Sequence, residues 1–307
     1  MFKFFRKNDP APKSGLRVIC EPEPNACGGT TELRDDGAPL AIDSVNVVFF
    51  RAESVLPATF DDVSDVPRLT FVSAFAAAAG QGTFLFLETE ENRERARDFA
   101  LVKEDVLPAL GALIKTLDLA RSNGRFSETH GLPENFGGSV SARYAGGEKL
   151  SFSDNQSPVL TDPEGLAIRD FFRKALAGKR VDLPGPEKIR EILFTEKRPD
   201  GGFTEARLTV SPEGAATLSR RSRYEDPEIY EKTVSVPAET VEKIRRAVGE
   251  TGLFAWCGLP DDGFPRNEKA LTFTLDDGAV YVVPDGRVTP DALRRGFFDV
   301  ELPLTTL

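Results

Sequence analysis

The chain carries one apolar pattern twice, and that repetition constrains its fold more than any other feature. The stretch "VKEDVLPALGALIKTLDLARSNG" (102–124) lies over "VPAETVEKIRRAVGETGLFAWCG" (236–258) without a gap, at a constant offset of 134. Apolar residues coincide at Val102/Val236, Leu107/Val241, Leu110/Ile244, Leu113/Ala247, Ile114/Val248 and Leu119/Leu253. The steps of three and four among them are helical spacing. Pro108 and Pro237 both fall early, where a missing N–H does least harm. Each stretch therefore predicts one amphipathic helix covering a sheet.

The flanks follow suit. "YAGGEKLSFSDN" (144–155) parallels "LDDGAVYVVPDG" (275–286), each predicting a hairpin that turns at Gly147 or Gly278. Alternation at Leu271, Phe273 and Leu275 marks a buried strand face. "TDPEGLAIRDFF" (161–172) and "VTPDALRRGFF" (288–298) predict a second helix per copy. Asp162 and Thr289 are the N-cap candidates, each followed by proline, and both helices reach a phenylalanine pair expected to pack beneath them. Upstream, "AIDSVNVVFF" (41–50), "RLTFVSAFA" (68–76) and "GTFLFLETE" (82–90) predict three strands. Their counterparts are "KIREILFTEK" (188–197), "FTEARLTVSP" (203–212) and "AATLSRRSRY" (215–224). "ENRERARDFA" (91–100) fits a helical pattern while "PEIYEKTVSV" (227–236) fits a strand, so the segment is expected to be a short irregular link.

The fold class expected is α+β: two pseudo-symmetric repeats, each β-β-β-α-β-β-α, with an antiparallel sheet covered on one face by helices. Residues 1–16 are expected to be a flexible basic leader, 17–182 repeat 1 and 183–307 repeat 2. The join lies in "GKRVDLPGPEK" (178–188), and packing of the copies against each other is expected. Helix–hairpin–helix units at 102–176 and 236–300, with a "DDGAVYVVPDG" hairpin, resemble a poorly characterised group of two-repeat gut-bacterial proteins of unknown function. Some members of that group are lipoproteins. This chain departs from those members, because nothing before Cys20 or Cys27 is a lipidation signal. The resemblance implies no catalytic residue, and no cofactor is expected.

Composition narrows the function classes. A net charge of −10 argues against a nucleic-acid partner, which requires clustered Lys and Arg facing phosphates. The leader "MFKFFRKNDPAPKSG" interrupts its phenylalanines with Lys3, Arg6 and Lys7, so it is no secretory signal. A cytoplasmic location is expected; the alternative is weak peripheral contact of residues 2–7 with the inner face of a membrane. Three cysteines (Cys20, Cys27, Cys257) make no regular framework, and free thiols in a reducing compartment fit best. A Cys20–Cys27 disulfide is the alternative.

Chemistry-bearing motifs are sparse. There is no GxSxG, HExxH, P-loop or dinucleotide fingerprint. His130, the single histidine, sits with Glu128 and Glu134 in what reads as a long loop, and a His–carboxylate pair suits acid–base work. Asp261 and Asp262, in a glycine-bounded loop, are the candidate cation ligands, against the plainer reading of a solvated turn. Trp256 and Cys257 close the second long helix and are expected to be structural, with the indole N–H on a carbonyl or water and the thiol inert. The function expected is a non-enzymatic binding or scaffolding protein for a protein or small-molecule partner. The alternative is a hydrolase using His130 and nearby carboxylates between the repeats.

Overall fold

The computed structural model describes residues 17–18, 23–24, 29–35, 46–56, 69–132, 137–223, 229–257, 259, 268–285 and 291–307. Among these described residues it is a mixed α/β protein, mostly strands, with two sheets and four helices. Two compact units divide it: residues 1–77 with 85–179, and residues 78–84 with 180–307. The leader, Cys20, Cys27, Glu134, Asp261 and Asp262 lie outside the described residues. No helix among the described residues is long and apolar enough to cross a membrane.

The first sheet has ten strands: β1 (Arg17–Val18), β2 (Glu23–Pro24), β3 (Thr30–Asp35), β4 (Val47–Val55), β5 (Leu69–Ala79), β6 (Gly82–Glu91), β7 (Glu94–Val102), β8 (Arg125–His130), β9 (Gly138–Tyr144) and β10 (Lys149–Asp154). Their spatial order is β1-β3-β8-β10-β9-β4-β5-β6-β7, with β2 beside β3. Helices α1 (Leu107–Thr116) and α2 (Asp162–Leu176) bury Leu110, Ile114, Ile168 and Phe172. These side chains share one apolar cluster with Phe50 and Ala52 of β4, Val140 and Ala142 of β9, and Leu150 and Phe152 of β10. Strand alternation thus sends Arg51, Glu53 and Val55 of β4 to the opposite face of the sheet.

The second sheet has six strands: β11 (Ile189–Lys197), β12 (Phe203–Val210), β13 (Ala216–Arg223), β14 (Tyr230–Val236), β15 (Glu268–Leu275) and β16 (Val280–Pro284). They run in the order β14-β13-β12-β11-β15-β16, every pairing antiparallel. Helix α3 (Ala238–Thr251) buries Val241, Ile244 and Val248, and packs on α4 (Asp291–Thr306), which reaches β12 and β13. Phe254 meets Phe273 edge-on at 5.3 Å and Tyr281 at 4.9 Å, closing this core over the β15–β16 hairpin.

Several elements differ from expectation. The segment expected as a link is β7, whose Arg95 and Arg97 alternate outward to pair with Glu88 and Glu90 of β6. The long loop expected around His130 contains β8, which pairs with β3 on one side and runs parallel to β10 on the other. Neither long helix is continuous. Asp118 (φ 52°) ends the first and Gly252 (φ 59°) the second, each in the left-handed region, and a 3-10 turn follows at Leu119–Ser122 or Leu253–Trp256. The N-cap of α2 is Thr161, not Asp162, and Glu164 completes a capping box with it. Of the terminal phenylalanine pair, Phe297 is buried, whereas Phe298 is 48% exposed.

Candidate functional site

A cleft of about 640 Å³ lies on the face of the first unit's sheet that points away from α1 and α2. Its floor comes from alternate residues of neighbouring strands. Arg51, Glu53 and Val55 of β4 stand beside Phe71 of β5, and Ser139 of β9 lies across from Glu53. Ser153 of β10 is the cross-strand partner of Ser139, and Phe126 of β8 the partner of Ser153. Glu128 of β8 and Arg95 of β7 complete the two ends.

Gly138 lets β9 come close at this point. A Cβ there would run into the Glu53 carbonyl oxygen and lie 2.7 Å from Ser54 Cα and 2.9 Å from Val159 Cγ2. Asn155 secures the other side of the cleft. Its side-chain amide donates to Thr129 O at 2.8 Å and accepts from Thr129 N at 2.8 Å. One side chain thus satisfies both backbone groups of a β8 residue where the parallel pairing with β10 ends.

Charge within the cleft is mixed. The Arg95 guanidinium lies 5.2 Å above the Phe71 ring and reaches Glu90 at 3.3 Å and Glu88 at 3.5 Å. Glu88 is buried and is held also by Arg97 at 3.1 Å, so two guanidiniums offset its desolvation. Arg51 and Glu53 stand 3.5 Å apart, and Asp154 turns its Oδ1 onto the amides of Gln156 and Ser157 at 2.7 Å each. The cleft therefore offers two cations, carboxylates, serine hydroxyls and two phenyl rings, with Arg95, Glu53 and Glu128 still solvated at its rim.

Of the acid–base candidates, Glu128 lines the cleft and His130 does not. Both project from the same face of β8, with His130 Nδ1 3.9 Å from Glu128 Oε1 and the two side chains 55% and 45% exposed. Among the described residues no group of three His, Cys, Asp or Glu side chains is placed to hold a metal ion. Trp256 is buried in its 3-10 turn, as its expected structural role requires, but its indole N–H has no hydrogen-bond partner among the described residues. Cys257 is a half-buried free thiol at the end of that turn.

A smaller cleft of about 240 Å³ lies on the outward face of the second sheet, among Leu193, Glu205, Arg207, Ser219, Arg221 and Glu231. Arg207 bonds Glu191 at 2.9 Å there, and Arg221 pairs with Glu231 at 3.4 Å. Sequence reasoning found neither cleft. The only signal was the period-2 alternation of charge, serine and phenylalanine along strands, which reads equally well as a solvated face. No protein-family model matches the chain, and no curated protein matches it.

Proposed function

We propose that this chain is a non-enzymatic binding protein built from a duplicated module, and that the cleft of its first unit holds an extended polypeptide segment of a partner. Strand order supports the duplication. The first sheet contains the run β7-β6-β5-β4-β9-β10 and the second is β14-β13-β12-β11-β15-β16. In both, a four-strand meander leads through a helix, a left-handed residue and a 3-10 turn to a hairpin and a final helix. The module is thus β-β-β-β-α-β-β-α, one strand longer than the sequence pattern predicts. Among the described residues, the first copy continues past β10 with β8, β3, β1 and β2.

The cleft carries the binding reading. It draws its lining from six strands of the sheet and keeps a solvated rim, an open arrangement that suits a passing chain more than an enclosed small molecule. Its hydroxyls and both signs of charge match a polypeptide backbone with mixed side chains, and Phe71 and Phe126 supply apolar footing. Panning a random peptide display library against the full chain tests this. Enriched peptides should lose at least about tenfold in affinity on Ser139→Arg, which fills the floor, and on Phe126→Ala. Peptides indifferent to both substitutions would rule the cleft out as the site.

A further inference from the structure

Asn123–Gly124 is the one Asn–Gly dipeptide in the chain. It joins the 3-10 turn at Leu119–Ser122 to β8, and the fold dictates both of its residues. Gly124 stands at φ 79°, in the left-handed region that favours glycine. Asn123 Oδ1 accepts Ser151 N–H at 2.7 Å, and Gly124 N–H donates to Ser151 O at 2.8 Å. Both backbone groups of Ser151 are thus satisfied from this dipeptide. Strand β8 then runs on along β10, with Phe126 against Ser153 and Ser127 against Asp154. A side-chain acceptor followed by a left-handed glycine is a structural requirement at this joint.

The same dipeptide is the one most open to loss of ammonia, because glycine places no side chain over its own amide nitrogen. In that reaction the Gly124 nitrogen gives up its proton and bonds to Asn123 Cγ. The Cγ–Nδ2 bond breaks, and ammonia leaves a five-membered imide. Water then opens the imide at either carbonyl. One product is aspartate; the other is isoaspartate, whose main chain runs through Cβ and Cγ and is one atom longer. The folded protein opposes ring closure. Ser151 O holds the attacking nitrogen, Ser151 N–H pins the side-chain carbonyl, and Asn123 N–H is fixed on Ala120 O at 3.1 Å. At ψ 136° the Gly124 nitrogen also points well away from Cβ, whereas the ring needs the two nearly eclipsed.

We infer that Asn123 is a deamidation site which the β8–β10 joint keeps latent, and that its isoaspartyl product detaches β8 from β10. Ring closure requires the joint to open, so the modification records openings of this part of the sheet. Aspartate keeps an oxygen for Ser151 N–H and restores the joint. In isoaspartate the added main-chain atom displaces Gly124, and the two bonds to Ser151 no longer form together. Strand β8, which carries Phe126 and Glu128 of the cleft, then loses its anchor.

Ageing the full chain in mildly alkaline buffer, with and without urea, tests the site, with peptide mapping of the aspartyl and isoaspartyl forms as the readout. The unfolded chain should convert faster at Asn123 than at any other asparagine, and the folded chain at least about tenfold more slowly at that position. The isoaspartyl form, separated by ion exchange and returned to native buffer, should lose hydrogen-exchange protection along β8. Asn123→Asp should keep it. Equal rates in the folded and unfolded chains would overturn the latency. An isoaspartyl form with β8 still protected, or an Asn123→Asp chain that loses that protection, would overturn the detachment. None of these readouts uses a bound peptide, so their failure leaves the cleft reading where it stands.

Discussion

Arg121 and Glu164, 43 positions apart, meet at 2.5 Å, the guanidinium donating to Oε1 of a carboxylate that is nearly buried. The other oxygen, Oε2, accepts the Thr161 N–H at 2.8 Å. One side chain thereby caps α2 and ties it to the 3-10 turn after α1. Glu164→Ala removes both bonds and should destabilise the protein by about 2–3 kcal/mol, whereas Glu164→Gln, which still accepts from Thr161, should lose about 1 kcal/mol. Urea unfolding of the two variants checks the order, and equal losses would refute the capping account.

Phe297 and Phe298 should separate sharply on truncation. Phe297→Ala opens a cavity in a closed core and should lower stability by about 3–5 kcal/mol. The half-exposed Phe298 should lose less than about 1 kcal/mol. Thermal melts of both variants are sufficient.

Tyr144 is buried, and its hydroxyl has no hydrogen-bond partner among the described residues. Burial, with the Glu148 charge adding to it, pushes its pKa from 10.0 up to about 12. The folded-state value thus lies above the unfolded one. The linked stabilisation is complete below pH 10 and is lost as pH rises toward about 12. Tyr144→Phe should be neutral or slightly stabilising at pH 7 and should blunt the alkaline loss between those values. An unchanged alkaline profile in the variant would show that the phenol does not ionise with unfolding.

Gly138→Ala should push β9 off β4, because the added carbon meets backbone there and not a flexible side-chain tip. A loss of about 3 kcal/mol is expected, together with weakened peptide binding at the cleft. Stability equal to wild type would mean that the two strands approach less closely than described.

The helices, the hairpins and six of the strands were legible because their apolar residues fall at regular intervals. Strand β7 was not. Its first five residues, Glu94–Asp98, are exposed and all but Ala96 are charged, since they sit at a sheet edge and pair laterally with β6, and that pattern mimics a helix surface. Strand β8 was hidden for a related reason: Ser127, Glu128 and Thr129 read as loop, and only pairing on both sides makes them a strand. The cleft was illegible because its residues come from separate strands, each contributing no more than three. Phe298 resembled its buried neighbour Phe297 in chemistry, and only the rotation of α4 distinguishes them.

The pairing of β3 with β8 has a kinetic consequence. Thr31 and Thr129 share a hydroxyl hydrogen bond at 2.9 Å across 98 residues of chain, whereas the strands from β4 to β7 are joined in sequence order. Closing so long a loop has a larger entropic penalty than zipping neighbouring hairpins, and its enthalpic return arrives only after the rest of the sheet exists. The meander should assemble early and β3 should dock last. In the folded protein the same asymmetry runs backwards: β3 should be the first strand to peel away, its amides trading protons with solvent well before those of β5.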